Sequence, residues 1–461
     1  MVGLCKLSGE NRAVLLSNNT LEYITPEFIV RCVSHARIIQ GGGFKNPSIS
    51  IDSRTCISQD IFFALSGVRA DGHDFLDQVC TQNVQGIIIK ESKLSVISAT
   101  LKKFKGVIIT VPDPYTALCE LAIAWRLQFT GQVVGITGSV GKTSTHRYIC
   151  TLLDRAHISY AASEGNYNTR LGAAISVLSL RNNHQVGVFE MGISTAGEMV
   201  DIAEIVRPTI AVITTIAPCH LEGLKTVQNI VREKLKIVAY SAPGSPVVLG
   251  NSSILKNYLV KNPAVLDQFS IIWSTKKRVG RGHQGIANNK SIAAAVGRIL
   301  NISATVINAM LEENIIISHR YELKKLINNK GVLIDDCYNA NPVSMRVALN
   351  TFDRHPGEGK KVAIIGDMRE LGSRSAVWHR KLGFFLKQTS SIEKIILVGD
   401  QVGYMVPMVP PTIQVAHVIT WQEAIPVLNN ILSQEILVTI LVKGSRGVAL
   451  DKLVSQFVEP A

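Results

Sequence analysis

Short, nearly unbroken apolar runs recur along this chain, most of them ending in glycine or polar residues. Ile61–Leu65, Ile87–Ile89 and Val107–Val111 read as strands in the first part, and Val133–Ile136, Val186–Glu190, Thr209–Thr214 and Pro246–Leu249 in the middle. Gly331–Asp336, Val362–Gly366, Ile395–Gly399 and Leu437–Val442 continue the rhythm to the end. Runs apolar on both faces suit parallel strands covered on either side by helices. Between them, helical spacing predicts helices over Tyr115–Phe129, Thr145–Ala156 and Val227–Tyr240, and another from about Asn289 to Leu300 after a loop at Gly280–Gly285. The fold class is α/β. At 461 residues the chain exceeds one ordinary core. Pro112-Asp113-Pro114 interrupts the pattern, and a new series of strands begins after Ile315. These breaks predict units over 1–112, 113–314 and 315–461, the last a second doubly wound sheet without a dinucleotide glycine fingerprint.

Composition narrows the function classes. The chain is 46% hydrophobic and 18% charged, which suits a packed globular protein. Its net charge of +13 comes without a long Lys/Arg block or an aromatic-interleaved basic stretch. No nucleic-acid partner is expected; the charge suits a phosphorylated, carboxylated substrate. The eight cysteines form no CxxC pair, and several lie in apolar stretches, as expected in a reducing compartment. With no signal-peptide pattern and no run fit to span a bilayer, the expectation is a cytoplasmic protein without membrane insertion.

One stretch carries specific chemistry. Thr137-Gly138-Ser139-Val140-Gly141-Lys142-Thr143-Ser144 lies between a strand and a helix. Glycines let backbone N–H groups close round an anion, and the helix N-terminus adds its positive end. Lys142 would reach the terminal phosphates, and the Thr143 hydroxyl would hold magnesium. Ile136 stands where the common pattern has its first glycine. Ligands in such sheets bind beyond the carboxyl ends of the strands. That directs attention to Glu190, to His220, and to the loop Gly165-Asn166-Tyr167-Asn168. Glu190 and His220 could hold a second magnesium, whereas His220 alone reads as a capped or core histidine and Lys234 alone as a solvated helix residue. Asp336 to Pro342 follows a buried-looking strand. Its Asn339 and Asn341 could bind a peptide or carboxylate, or serve as a helix cap. Asp52-Ser53-Arg54 and the turn from Gly67 to His73 are polar turns beside strands; Arg320, Lys443 and Arg446 are either anion contacts or surface charge.

Together these residues resemble the Mur ligases, ATP-dependent amide-forming enzymes of peptidoglycan synthesis. The resemblance rests on TGSVGKTS, Glu164 to Asn168, Glu190-Met191-Gly192 and His220-Leu221-Glu222. Asp52–Arg54, Asp71–His73, Asp336–Met345, Gly366–Gly372 and Lys443–Arg446 add to it, covering nearly the whole chain from Asp52. Asp336–Met345 is similar to the signature of the branch whose incoming amine is D-alanyl-D-alanine. The resemblance implies three domains: an N-terminal one for the UDP end, a central P-loop ATPase sheet, and a C-terminal Rossmann-like domain for the amine. It implies ATP and Mg2+, with UDP-N-acetylmuramoyl-tripeptide and D-alanyl-D-alanine as substrates of a monomeric enzyme. Gly138 to Ser144, Asn289, Arg320 and Asp336 would contact the nucleotide, and Thr143, Glu190, His220 and a carbamylated Lys234 the metals. Lys142, Lys234, His220 and Glu190 would carry catalysis. Ser53, Arg54, Asp71, His73, Asn166, Asn168, Asn339 and Asn341 would contact substrate. Thr169, Ala174, Thr215, Cys219 and Lys236 depart from the family pattern. The alternatives are a sister ligase adding a diamino acid, a folylpolyglutamate-type ligase, and a nucleotide switch that ligates nothing; the YNANP stretch argues against the first two.

Overall fold

The computed structural model describes residues 23–459 except 69, 103, 276–283, 314 and 358, and at 98 and 284 the backbone alone. Most of the expected loop at 280–285, Arg69 of the 67–73 turn and Cys5 therefore lie outside the described residues.

Three sheets follow one another along the chain. The first contains β1 (Arg37–Gln40), β2 (Ser48–Ser50), β3 (Asp60–Phe63), β4 (Gly86–Lys90) and β5 (Val107–Val111), in the order β1-β5-β4-β3-β2. Among the described strands of this sheet only β1, against β5, runs antiparallel. The second holds β6 (Gln132–Thr137), β7 (Tyr160–Ala162), β8 (Val186–Glu190), β9 (Ile210–Ile213), β10 (Pro246–Leu249) and β11 (Ser270–Trp273). It is all parallel, in the order β11-β10-β9-β6-β8-β7. The third has β12 (Glu322–Lys325), β13 (Gly331–Asp335), β14 (Lys360–Gly366), β15 (Ile392–Val398), β16 (Gln414–Val418) and β17 (Val438–Lys443). Its order is β12-β13-β17-β14-β15-β16, with β12 antiparallel to β13.

The central sheet positions the site. Its strand order reverses direction at β6, which has β8 on one side and β9 on the other. A crevice opens at the carboxyl end of such a strand. β6, β8 and β9 are buried along nearly their whole length, because helices cover both faces. One cover is the Lys142–Arg155 helix, whose Tyr148, Ile149, Leu152 and Leu153 pack with Ile292 and Val296 of the Gln284–Ile299 helix.

Two helices differ from the sequence expectation. The Gln284–Ile299 helix starts before Asn289. Asn288 is held there by its partners, donating to Thr215 Oγ1 (3.2 Å) and accepting from the Asn251 N–H (3.0 Å), so tertiary contacts override its weak helix propensity. The helix expected to reach Tyr240 ends at Leu235 and tightens into a 3-10 turn over Lys236–Val238, ahead of Pro243.

Candidate active site

The phosphate loop forms as its sequence requires. Gly138 has φ 151° and Gly141 φ 92°, and a Cβ at Gly141 would sit 2.4 Å from Asn289 Oδ1. The loop is fastened to the next strand's exit: the Ser139 and Val140 N–H groups donate to the Thr215 carbonyl (2.8 and 3.2 Å), and Thr214 Oγ1 donates to the Val140 carbonyl (2.7 Å). Thr215 thus supports the loop through its backbone, while its hydroxyl accepts from Asn288. The N–H groups of the first helical turn, from Lys142 to Ser144, have no intrahelical partners and remain for an anion.

Lys142 Nζ bends back onto the Gly138 carbonyl (3.0 Å). Burial pushes its ammonium below its usual pKa, and the nearby Glu190 carboxylate opposes this. Glu190 ends β8 opposite Ile136 in register, and its Oε2 accepts from Thr143 Oγ1 (3.2 Å). Hydroxyl and carboxylate oxygens side by side are the donor set a hard divalent cation takes.

Lys234 overturns the solvated-lysine reading. It is 1% exposed, on the face of the Val227–Leu235 helix that also buries Ile230, Val231 and Leu235. Burial, with help from the Lys142 charge, lowers its pKa to about 7. It has no ion-pair or hydrogen-bond partner among the described residues. Lys236, two positions on, turns outward to pair with Glu233. His220, at φ 50°, faces Glu370 instead of a core; Nδ1 and Oε2 are 2.5 Å apart, off the hydrogen-bond direction. Glu370 comes from the third sheet's side of the molecule and was not legible as a site residue.

That side closes over the loop at a second point. Arg320 Nη2 donates to Thr143 Oγ1 (3.3 Å), and its guanidinium lies 4.2 Å from the centre of the Tyr338 ring. Behind it, His319 Nδ1 contacts Asp335 Oδ2 (2.8 Å), which also pairs with Lys324 (3.1 Å). Burial alone would raise the pKa of Asp335, but hydrogen bonds from Cys337, His319 and Lys324 and the His319 charge hold it below its ordinary value. The cleft between the two sheets has a volume of about 1340 Å³. It brings together Lys142, Thr143, Asn166, Asn168, His220 and Asn289 with Arg320, Asp336, Asn339, Asn341, Lys443 and Arg446. Lys443 pairs with Asp336 (2.8 Å) and donates to the Asn339 carbonyl (3.0 Å). Asn341 caps the Pro342–Asp353 helix, its Oδ1 accepting from the Val343 and Ser344 N–H groups. That commits its side-chain oxygen and leaves its amide nitrogen for a ligand.

Ser53, Arg54, Asp71 and His73 belong to the first sheet's unit and do not line this cleft. His73 is 4% exposed, and Asp71 Oδ1 and the Lys90 N–H engage its two ring nitrogens. Asp71 also pairs with Lys93, so the pair joins a turn to β4 and its exit. Arg54 forks onto Asp52 (2.8 and 2.6 Å) at the surface. The backbone carbonyl of buried Ser53 accepts from Gln82.

A phosphate loop at the switch point of a parallel sheet, faced across a cleft by a second α/β unit, defines a nucleotide-dependent enzyme. Residues 47–126 match the Mur ligase family catalytic domain, 136–277 the Mur ligase middle domain, and 319–446 the Mur ligase glutamate ligase domain. The chain belongs to the Mur ligase family. It is 30% identical over 437 residues to the UDP-N-acetylmuramoyl-tripeptide–D-alanyl-D-alanine ligase of Rickettsia prowazekii, covering 89% of this chain and 94% of the relative. The crystal structure of MurF from Acinetobacter baumannii superposes with a TM-score of 0.82 at 25% identity, covering 95% of this chain and 99% of that one. A second structure from that organism, of the UDP-N-acetylmuramoylalanyl-D-glutamyl-2,6-diaminopimelate–D-alanyl-D-alanyl ligase, gives 0.76 at 25% identity with the same coverage.

Proposed function

We propose that this chain joins D-alanyl-D-alanine to UDP-N-acetylmuramoyl-tripeptide at the expense of ATP, completing the peptide of the peptidoglycan precursor. The observation that carries the reading is the placement of Arg320 and the Asp336–Asn341 segment directly across the cleft from Lys142 and Thr143. An arginine facing a phosphate loop would serve a nucleotide switch as well; the paired amides beside it, Asn339 and Asn341 with Lys443, are what a ligase that must bring an amine to a phosphorylated acid adds.

A carboxylate is a poor acyl donor, so its oxygen first takes the terminal phosphoryl group of ATP. Lys142 and Arg320 offset the charge that develops on the phosphoryl oxygens. The free amine of D-alanyl-D-alanine then attacks the acyl carbon, and the tetrahedral intermediate expels phosphate. Asn339, Asn341 and Lys443 orient the dipeptide, and the protein's contribution is mainly alignment. Asn289 lies against the nucleotide loop, and Asp336 faces the nucleotide. Thr143 and Glu190 suit one Mg2+, and His220 with a carbamylated Lys234 a second; bound there, the ions would neutralise phosphate charge. Lys234 fits the modification, since carbon dioxide adds only to a neutral amine and this one is buried, unpaired and depressed to about 7. The first sheet's unit, to about residue 112, takes the UDP end; the central unit ends near 314. Among the described residues no helix is long and apolar enough to cross a membrane, and a cytoplasmic monomer suits soluble substrates.

The test is isotopic. With 18O in the tripeptide's terminal carboxylate, an acyl phosphate requires one labelled oxygen in each phosphate released. Unlabelled phosphate would overturn this route.

A further inference from the structure

Arg170 and Asp201 face each other in the cleft as a loose ion pair. Arg170 opens the Arg170–Leu178 helix directly after the Asn166–Asn168 loop, and Asp201 lies on the Glu198–Val206 helix. Both line the cleft. They form an ion pair at 3.7 Å from Nη1 to Oδ2, too long for a hydrogen bond, so each group keeps hydrogen-bonding capacity. Arg170 Nε is buried without a hydrogen-bond partner among the described residues, and the guanidinium lies 5.8 Å from the centre of the Tyr115 ring. Glu198, one turn before Asp201, is by contrast committed: its Oε2 accepts from the Ser194 and Thr195 N–H groups.

The position matters as much as the charge. The Asn168 carbonyl accepts from the Gly192 N–H (2.7 Å), two residues beyond Glu190, so this wall adjoins the reaction centre. Tyr115 is the second residue of the Pro114–Gln128 helix, which leaves the first sheet just after β5. On the ligase reading, a peptide running from a UDP end on the first sheet to the phosphate loop would pass along this wall.

A cation and an anion side by side, each with free valence, complement an amino-acid zwitterion. In a stem peptide of alanyl, D-glutamyl and diaminopimelyl residues, the third side chain ends in such a group. A lysyl side chain ends in an ammonium alone. Resting on the ligase reading, we propose that Arg170 and Asp201 bind the side-chain end of the third stem residue, Arg170 taking its carboxylate and Asp201 its ammonium. The donor this chain selects is then the tripeptide ending in a diamino diacid.

The experiment compares kcat/KM for UDP-muramoyl-tripeptides ending in diaminopimelate, in lysine, and in diaminopimelate with its side-chain carboxylate amidated. Wild type should prefer the free diamino diacid by about tenfold or more, because a site built for a charged group rejects analogues lacking it. Arg170→Gln should narrow that preference to within about twofold by loss on the diaminopimelate side. Asp201→Asn should lower turnover of all three. The KM for ATP should hold in both variants, which controls for folding. If Arg170→Gln weakens all three donors equally, the arginine reads the D-glutamyl carboxylate and the proposal fails; a wild type that does not discriminate also overturns it. If no tripeptide supports phosphate release with any amine, the ligase reading itself falls and takes this proposal with it.

Discussion

Arg320 and Thr143 meet across the cleft, guanidinium to hydroxyl at 3.3 Å, although 177 residues of chain separate them. One is on the phosphate loop and the other just before the third sheet, so nucleotide contact and domain closure depend on the same arginine. Arg320→Ala should lower kcat by about two to three orders of magnitude, the range for losing a donor aimed at developing charge. Arg320→Lys should recover little, since lysine cannot reproduce a planar fork stacked on Tyr338. The KM for the tripeptide should change much less, and steady-state kinetics with each substrate varied in turn will show this.

Lys142→Ala should retain the fold and lose ligation by about two orders of magnitude or more. The helix it opens is anchored by Tyr148, Leu152 and Leu153, none of which contacts the cleft. Circular dichroism should be unchanged while phosphate release falls. Activity within about threefold of wild type would refute the loop's role.

Lys234 makes stability and activity depend on pH in a defined direction. Its folded pKa, about 7, lies below the ordinary lysine value. Between pH 7 and the usual lysine range, the unfolded chain binds the extra proton, so the folded state gains stability as pH rises through that window. In the absence of carbon dioxide, Lys234→Met should therefore raise Tm most at pH 7 or below and least near pH 10. In the same variant ligation should be nearly absent. Lys234→Ala should be partly rescued by acetate, which can occupy the carbamate's position. Wild type depleted of bicarbonate should lose activity and regain it on readdition; full activity after depletion would exclude the carbamate.

Asn339 and Asn341 should separate on substitution. Asn341 caps a helix, so Asn341→Ala should cost about 1 kcal/mol in urea unfolding as well as raising the KM for D-alanyl-D-alanine. Asn339 bonds mainly to its neighbour, its Oδ1 accepting from the Ala340 N–H, and Asn339→Ala should raise that KM with a smaller loss of stability. A fall in ATP affinity with the dipeptide KM unchanged would require the two sites to be exchanged.

Local features were legible in the sequence, and contacts between distant segments were not. The phosphate loop and Glu190 at the end of β8 follow from glycine placement and apolar runs, which encode backbone shape over a few residues. Lys234 carried a readable signal: it stands four residues after Ile230 on a helix, on the face that Val231 and Leu235 also bury. The contact of His220 with Glu370 had none, because it depends on how two sheets dock. The burial of His73 had none for the same reason, since its second partner is the backbone of Lys90 at the end of β4. Arg170 could have been noticed as a charge directly after an asparagine loop at a strand end, but its gap from Asp201 is a property of two packed helices.

The central claim is that a P-loop site and an amine site act on one acid. Phosphate release and product mass, measured together with UDP-muramoyl-tripeptide and ATP, test it most directly. With D-alanyl-D-alanine, phosphate should appear in step with a product heavier by the dipeptide less one water. With D-alanine, lysine, diaminopimelate or glutamate alone, both signals should stay near background. Equal phosphate release with and without the dipeptide, or a product carrying one of the single amino acids instead, would contradict the account.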